Sequence, residues 1–125
     1  MPIKPVHLFL NPTAGRGRAG RRLQRILKLI RGSGAPVELH TSDDVGDLES
    51  RVLAEVDDGA ERIVVAGGDG SVYEAVNGML ASSRTASLGL VPTGTGNDFA
   101  KACGIPLDWE HAAILLADRL SADQT

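Results

Sequence analysis

Four apolar residues, Ile63-Val64-Val65-Ala66, run straight into Gly67-Gly68-Asp69-Gly70-Ser71, and beyond them Val72, Ala75, Val76 and Met79 fall at helical spacing. The pattern reads as a strand, a tight turn and a helix start. Glycines there admit positive φ and leave no Cβ between backbone amides and a ligand. A helix N-terminus adds unpaired N–H donors and a partial positive charge. A phosphate group suits such a place. The same residues also read as a plain turn followed by a capping box, Ser71 with Glu74 three residues on. Turn and binding loop are compatible, so other stretches have to decide.

Two further stretches have the same character. Thr93-Gly94-Thr95-Gly96-Asn97-Asp98 follows Leu88-Gly89-Leu90-Val91-Pro92 and opens a short helix, and Asn11-Pro12-Thr13-Ala14-Gly15-Arg16-Gly17 follows Val6-His7-Leu8-Phe9-Leu10. No Walker A sequence occurs, because no Gly-Lys-Ser or Gly-Lys-Thr stands at the required distance. A dinucleotide fingerprint does occur, Gly15-x-Gly17-x-x-Gly20, with Glu38 near the place where a ribose-binding acid is sought. It departs from the pattern twice. Asn11 to Ala14 separate the strand from the first glycine, and Glu38 lies inside its strand rather than at the end.

These loops need elements to hold them. Val6 to Leu10 reads as a buried strand stopped by Asn11-Pro12, and Thr13 to Gly20 as a flexible loop. A helix with the apolar stripe Leu23, Ile26, Leu27 and Ile30 follows, ended by Gly32 and Gly34. Val37 to His40 is a second strand, and Ser42, Asp43 and Asp44 suit the start of a helix that turns Leu48, Val52, Leu53 and Val56 inward and stops near Gly59. After the Ile63 strand and its helix comes a fourth strand, Ser87 to Val91, ending at Pro92. The short helix beyond Asn97 is closed by Gly104 and Pro106. Asp108 caps a last helix with Trp109, Ala113, Leu116 and Leu120 on one side. The alternation predicts an α/β fold, a Rossmann-like parallel sheet with helices on both faces, whose ligands sit at the carboxyl ends of the strands. All three loops follow strands and therefore share one edge. That convergence is the strongest argument for a ligand cleft.

Composition narrows the classes. The 125 residues make one domain, and 42% apolar content supports one core, built from aliphatic residues because aromatics are only 3%. A net charge of -3 argues against a nucleic-acid binder. Arg16, Arg18, Arg21, Arg22, Arg25, Lys28 and Arg31 are crowded into one segment. The crowding fits phosphates or an anionic membrane surface, and fits better the wet face of an amphipathic helix. The one cysteine, Cys103, excludes an internal disulfide and reads as a small packed residue in a reducing compartment. No signal-peptide pattern or bilayer-length apolar run is present, which predicts a cytoplasmic chain. His7 and His40 lie in strands and read as packed or sheet-edge residues rather than ligands; His111 has no second ligand at metal spacing. Trp109 reads as a core anchor or a cover over the cleft.

Taken together, Asn11-Pro12-Thr13-Ala14-Gly15, Gly67-Gly68-Asp69-Gly70-Ser71 with Glu74-Ala75-Val76-Asn77-Gly78, and Pro92-Thr93-Gly94-Thr95-Gly96-Asn97-Asp98-Phe99-Ala100 resemble the nucleotide-binding domain of the diacylglycerol kinase and sphingosine kinase superfamily, bacterial lipid kinases in particular. The order and spacing of the three motifs cover nearly the whole chain. The resemblance implies ATP as ligand, its phosphates against Gly67, Gly68, Asp69, Gly70 and Ser71 and against Gly94 and Thr95. Asn11 and Thr41 would line the nucleotide, and Glu74 would reach its sugar. By the same resemblance Asp69 and Asp98 organise Mg²⁺, directly or through waters; for Asp98 the alternative is an acid at a helix N-terminus beside Asn97. Ser71 stands where the family more often has Thr, and Ala14 where it often has Ser.

Family members usually continue into a mostly β domain that holds the lipid and supplies the general base, and nothing in residues 1–125 resembles it. The expectation is thus a nucleotide-binding domain whose lipid-binding partner domain is absent from this chain, able to bind nucleotide weakly and without lipid kinase turnover. Full-length function would be transfer of the γ-phosphoryl group of ATP to a lipid hydroxyl such as diacylglycerol, with transient membrane contact and no nucleic-acid partner. The competing readings are an NAD-kinase-like or sugar-phosphate kinase domain, which shares the Gly-Gly-Asp-Gly turn, and a noncatalytic dinucleotide-binding module using Gly15, Gly17 and Gly20.

Overall fold

The computed structural model describes residues 4–12, 14–42, 47–94 and 97–122. In chain order the elements are β1 (Val6–Leu10), α1 (Ala14–Arg31), β2 (Val37–Thr41), α2 (Asp47–Asp57), β3 (Arg62–Gly67), α3 (Asp69–Ala81), β4 (Ser87–Pro92), α4 (Asp98–Ala102) and α5 (Trp109–Ala122). All strand pairs are parallel, in the order β2-β1-β3-β4. The chain steps from β1 outward to β2, then back past β1 to β3 and β4. Crossovers of one hand taken in opposite directions put their helices on opposite faces. Accordingly Val6, Leu8, Leu10, Val64, Ala66 and Val91 pack under α1 and α5. Phe9, Ile63 and Val65 pack under Leu48, Val52 and Val56 of α2 and Ala75 of α3.

The predicted parallel α/β sandwich is thus present, with the expected stripes facing the sheet. Helix ends follow glycine chemistry: Gly34, Gly59 and Gly104 take φ of +91°, +106° and +71° just past α1, α2 and α4. Asp108 caps α5 as expected, its Oδ1 accepting from the amides of Glu110 at 2.9 Å and His111 at 3.2 Å. Arg21, Arg25, Lys28 and Arg31 lie on the wet side of α1. Trp109 is half-buried between α1 and α5, with the Arg22 guanidinium 5.2 Å above its ring. No helix among the described residues is long and apolar enough to cross a membrane.

Four expectations need correction. Residues from Ala14 to Gly20 are already helical rather than a loop, with Gly17 left-handed at φ +83° inside the span. The cause is local packing: the Gly20 amide donates to the Pro12 carbonyl at 3.2 Å, and a Cβ on Gly20 would lie 2.8 Å from that oxygen. Gly15, Gly17 and Gly20 therefore serve the entry of α1, and Glu38 stands toward the amino end of β2, in register with His7 and away from the loops. The dinucleotide fingerprint loses both of its geometric requirements. The capping box is also absent. Gly68 is the N-cap of α3, with no side-chain cap bond, so Ser71 lies inside the first turn. Cys103 is exposed rather than packed, because α4 is only five residues long and its end lies at the surface. Of the expected cap residues of α2, Asp43 and Asp44 fall outside the described residues, and the helix begins at Asp47.

Candidate functional site

Register fixes one row across the carboxyl edge of the sheet: Thr41, Leu10, Ala66 and Val91 lie side by side on β2, β1, β3 and β4. Three inter-strand steps make this row about 14 Å wide. The next residues of each strand form the rim, and short bonds keep it closed: Ser42 N–H donates to the Leu10 carbonyl at 3.1 Å and Thr93 N–H to the Gly67 carbonyl at 3.0 Å. Asn11, Gly67, Gly68 and Gly94 stand on this rim, and Thr41 at its β2 end. The order β2-β1-β3 makes the gap between β1 and β3 the point where the connections diverge, the usual crevice of such sheets.

At the centre of the rim two loops touch backbone to backbone. A Cβ on Gly94 would lie 2.6 Å from Gly68 Cα, and one on Gly68 would lie 3.2 Å from Gly94 Cα. Gly67 is equally confined, since its Cβ would meet the Ser71 Cβ at 2.7 Å, whereas a Cβ on Gly70 would meet nothing within 4 Å. The expected loop glycines are thus brought together, and Gly70 faces open space. Thr95, the other expected phosphate contact, falls outside the described residues.

Asp69, the first residue of α3, does not cap its own helix. Its Oδ2 accepts the Asp98 amide at 3.0 Å and its Oδ1 the Phe99 amide at 3.1 Å, so the carboxylate holds the N-terminus of α4. Those two amide bonds, the Asp98 one first, hold the Asp69 carboxyl below the usual carboxylate range. The N-cap residue Gly68 has no side chain, and among the described residues none caps the N–H groups of the first turn of α3. Asp98 lies beside this carboxylate, 87% exposed, with Lys101 Nζ 4.0 Å away. Both acids reach the rim of a groove of about 420 Å³ walled by Val72, Tyr73, Val76 and Phe99. A hard cation that keeps most of its waters fits this pair, because each Asp69 oxygen retains a lone pair and the Asp98 carboxylate is open to solvent.

The lowered Asp69 pKa has a defined sign. Ionised Asp69 stabilises the α4 cap at every pH above its unfolded value of about 3.9, and that contribution is lost as pH falls through the lower folded value. Amide exchange at Asp98 and Phe99 should accelerate on acidification. It should be faster in Asp69→Asn at neutral pH, because an amide side chain offers one acceptor where the carboxylate offered two. Unchanged exchange at both amides would remove the capping role.

Three buried oxygens near the loops have no hydrogen-bond partner among the described residues: Glu74 Oε1, Thr93 Oγ1 and Asn97 Oδ1. Buried polar atoms are ordinarily paired, so these stand out. Glu74 was a predicted site residue; Thr93 and Asn97 had no assigned role, and only burial singles them out. Asn97 is left-handed at φ +53°, and its Nδ2 donates to the Gly94 carbonyl at 3.0 Å, which ties the end of the loop to its start. Asn is among the few non-glycine residues that take this conformation readily, because its short side chain bonds locally.

Comparison with known proteins identifies the family. The profile of the diacylglycerol kinase catalytic domain matches residues 5–123. A diacylglycerol kinase of Bacillus subtilis is 35% identical over 108 residues, which cover 83% of this chain and 34% of that protein. A Cronobacter sakazakii protein named "Probable lipid kinase YegS-like" is 38% identical over 111 residues, covering 86% of this chain and 36% of its own length. The crystal structure of a diacylglycerol kinase from Bacillus anthracis superposes with a TM-score of 0.81, at 28% identity, over 95% of this chain and 43% of that one. The chain thus spans about a third of the curated relatives it matches. By sequence match and by fold together, the chain belongs to the diacylglycerol kinase catalytic domain family.

Proposed function

We propose that this chain is the ATP-binding part of a lipid kinase that transfers the γ-phosphoryl group of ATP to a lipid hydroxyl, such as that of diacylglycerol. The carrying observation is the uncapped first turn of α3 beside the Gly68–Gly94 contact. The acid that could have filled that turn is committed to α4, so the amides are left for an anion. In this reading the phosphates lie against Gly67, Gly68, Asp69, Gly70 and Ser71 and against Gly94 and Thr95. Asn11 and Thr41 line the rest of the nucleotide along the rim. Glu74 Oε1 has no donor among the described residues and suits a ribose hydroxyl.

Asp69 and Asp98 would hold Mg²⁺ through waters, and the bound ion would supply charge neutralisation at the phosphates. In the transfer, the lipid hydroxyl oxygen bonds to the γ-phosphorus as the bond to the β–γ bridging oxygen breaks. ADP leaves, and the hydroxyl proton passes to a general base. We place that base and the lipid pocket in the part of the relatives' length that this chain does not span. The protein would work in the cytoplasm with transient contact at a membrane surface.

The test is an amide NMR titration with ATP and Mg²⁺, and separately with NAD. ATP should shift the amides of Gly67 to Ser71 together with Gly94, and NAD should do little. Shifts at Gly15 to Gly20 with NAD, and none at the Gly67 turn with ATP, would sink the reading.

A further inference from the structure

Below the rim, on the α2 side of β1 and β2, two imidazoles and two carboxylates converge, with His7 near the amino end of β1 and His40 one residue before Thr41. His7 comes from β1, Glu38 and His40 from β2 and Glu55 from α2; one ligand atom from each lies within 4.8 Å of all the others. His7 Nδ1 is at the centre, 3.0 Å from His40 Nε2, 3.3 Å from Glu38 Oε2 and 3.6 Å from Glu55 Oε2, while His40 Nε2 is 3.9 Å from Glu38 Oε2. Zinc–ligand bonds of about 2.0–2.2 Å in a tetrahedron place ligand atoms roughly 3.3–3.6 Å apart. These four separations straddle that span. The rings are also held: His40 stacks on Phe9 with centroids 4.5 Å apart and on His7 at 5.2 Å.

Charge points the same way. Two carboxylates face each other here, and the nearby cations are engaged elsewhere: Arg51 with Asp47 at 2.9 Å and Lys4 with Glu61 at 2.7 Å. The adjoining cleft, where Lys4 and Glu61 offset each other, adds Asp58 to Glu38 and Glu55 and gives an ion a path from solvent. We propose that His7, Glu38, His40 and Glu55 form a binding site for a zinc-class divalent cation that staples the edge strand β2 to β1 and α2. Two nitrogens and two oxygens suit a borderline ion in four-coordination and disfavour Mg²⁺, which takes oxygen ligands and its own waters. Four protein ligands close the shell, so the role is structural. The ion takes the place of the hydrogen bond that joins the two rings, which separate by a few tenths of an ångström.

The experiment uses the purified protein carrying Cys103→Ser, which removes an exposed thiol from competition. One equivalent of Co²⁺ should bind with the strong visible absorption of tetrahedral coordination, be displaced by Zn²⁺, and survive excess Mg²⁺. Zn²⁺ should slow exchange of the β2 amides. His40→Gln and Glu38→Gln should each weaken binding by more than the roughly 10–100-fold that loss of an outer-shell partner costs. Binding without the tetrahedral spectrum, no stoichiometric binding, or undiminished affinity in both variants would overturn the proposal. Should His40→Gln fail to fold, Glu38→Gln and the imidazole ¹⁵N shifts of the unsubstituted His7 and His40 decide, since rings unmoved by Zn²⁺ also overturn it.

Discussion

Gly94→Ala is expected to lower affinity for Mg²⁺-ATP at least about tenfold and phosphoryl transfer by the full-length protein about 100-fold, with the sheet intact. The new Cβ would lie 2.6 Å from Gly68 Cα, 3.2 Å from Asn97 Oδ1 and 3.5 Å from Gly68 N. The first of these is backbone and cannot swing aside. To restore ordinary contact the two loops must part by roughly 1 Å, a displacement that costs on the order of 10²-fold when it misplaces reacting groups. Gly70→Ala is the matched control. Its Cβ meets nothing within 4 Å, and alanine favours a helix over glycine by up to about 1 kcal/mol, so stability should hold or rise. If the open space beside Gly70 is where phosphate sits, this variant loses ATP affinity without losing stability. Calorimetric titration beside thermal melts separates the two effects. Wild-type ATP affinity in Gly94→Ala would show that the loop contact is mere packing.

Gly78→Ala should have the largest effect on stability. Gly78 is buried where α3 crosses α2, and an added Cβ would run into the Glu49 carbonyl oxygen, with Val52 Cβ at 3.1 Å and the Leu53 amide at 3.2 Å. All but one of these neighbours are backbone, so relief requires α2 to move as a body. Overpacking of this kind costs about 1–3 kcal/mol, sometimes more, against a gain of about 1 kcal/mol in helix propensity. The clash with a backbone oxygen puts Gly78 at the top of that range, so a net loss of up to about 2 kcal/mol is expected, or roughly 8 °C in Tm for a chain of this size. The measurement is thermal and urea unfolding, with an unchanged m-value marking a true stability change. A neutral or stabilised variant would mean that the helices yield there. Gly89→Ala should be milder, because its Cβ would meet Leu116 Cδ1 at 2.9 Å, the end of a flexible side chain.

The elements that carry strong periodicity were legible. Leu23, Ile26, Leu27 and Ile30, or the apolar run at Ile63, have one economical placement, and Gly34, Gly59 and Gly104 mark ends by a conformation only glycine adopts freely. The rim was legible too, since loops that follow parallel strands must share an edge. The errors have a common source in contacts between distant residues. Nothing near Ser71 says that Gly68 will be the cap, because the choice depends on how α3 leaves β3. The early start of α1 depends on the bond from Gly20 to Pro12, and glycine-rich composition argues locally against a helix there. That Asp69 also holds the start of α4 was not legible, because its amide partners lie 29 and 30 residues on. The His7, Glu38, His40 and Glu55 group was invisible as a group because its members come from three elements with no common spacing.

The contact between Gly68 and Gly94 also bears on how such a rim tolerates sequence drift. Its width is set by atoms that are missing rather than by side chains that interlock, so a Cβ added at Gly94 or at the neighbouring Gly67 forces its surroundings apart. In a saturation library scored for nucleotide binding, intolerance should therefore fall on a short run of loop positions rather than along whole elements. A core, by contrast, yields graded losses spread along whole strands.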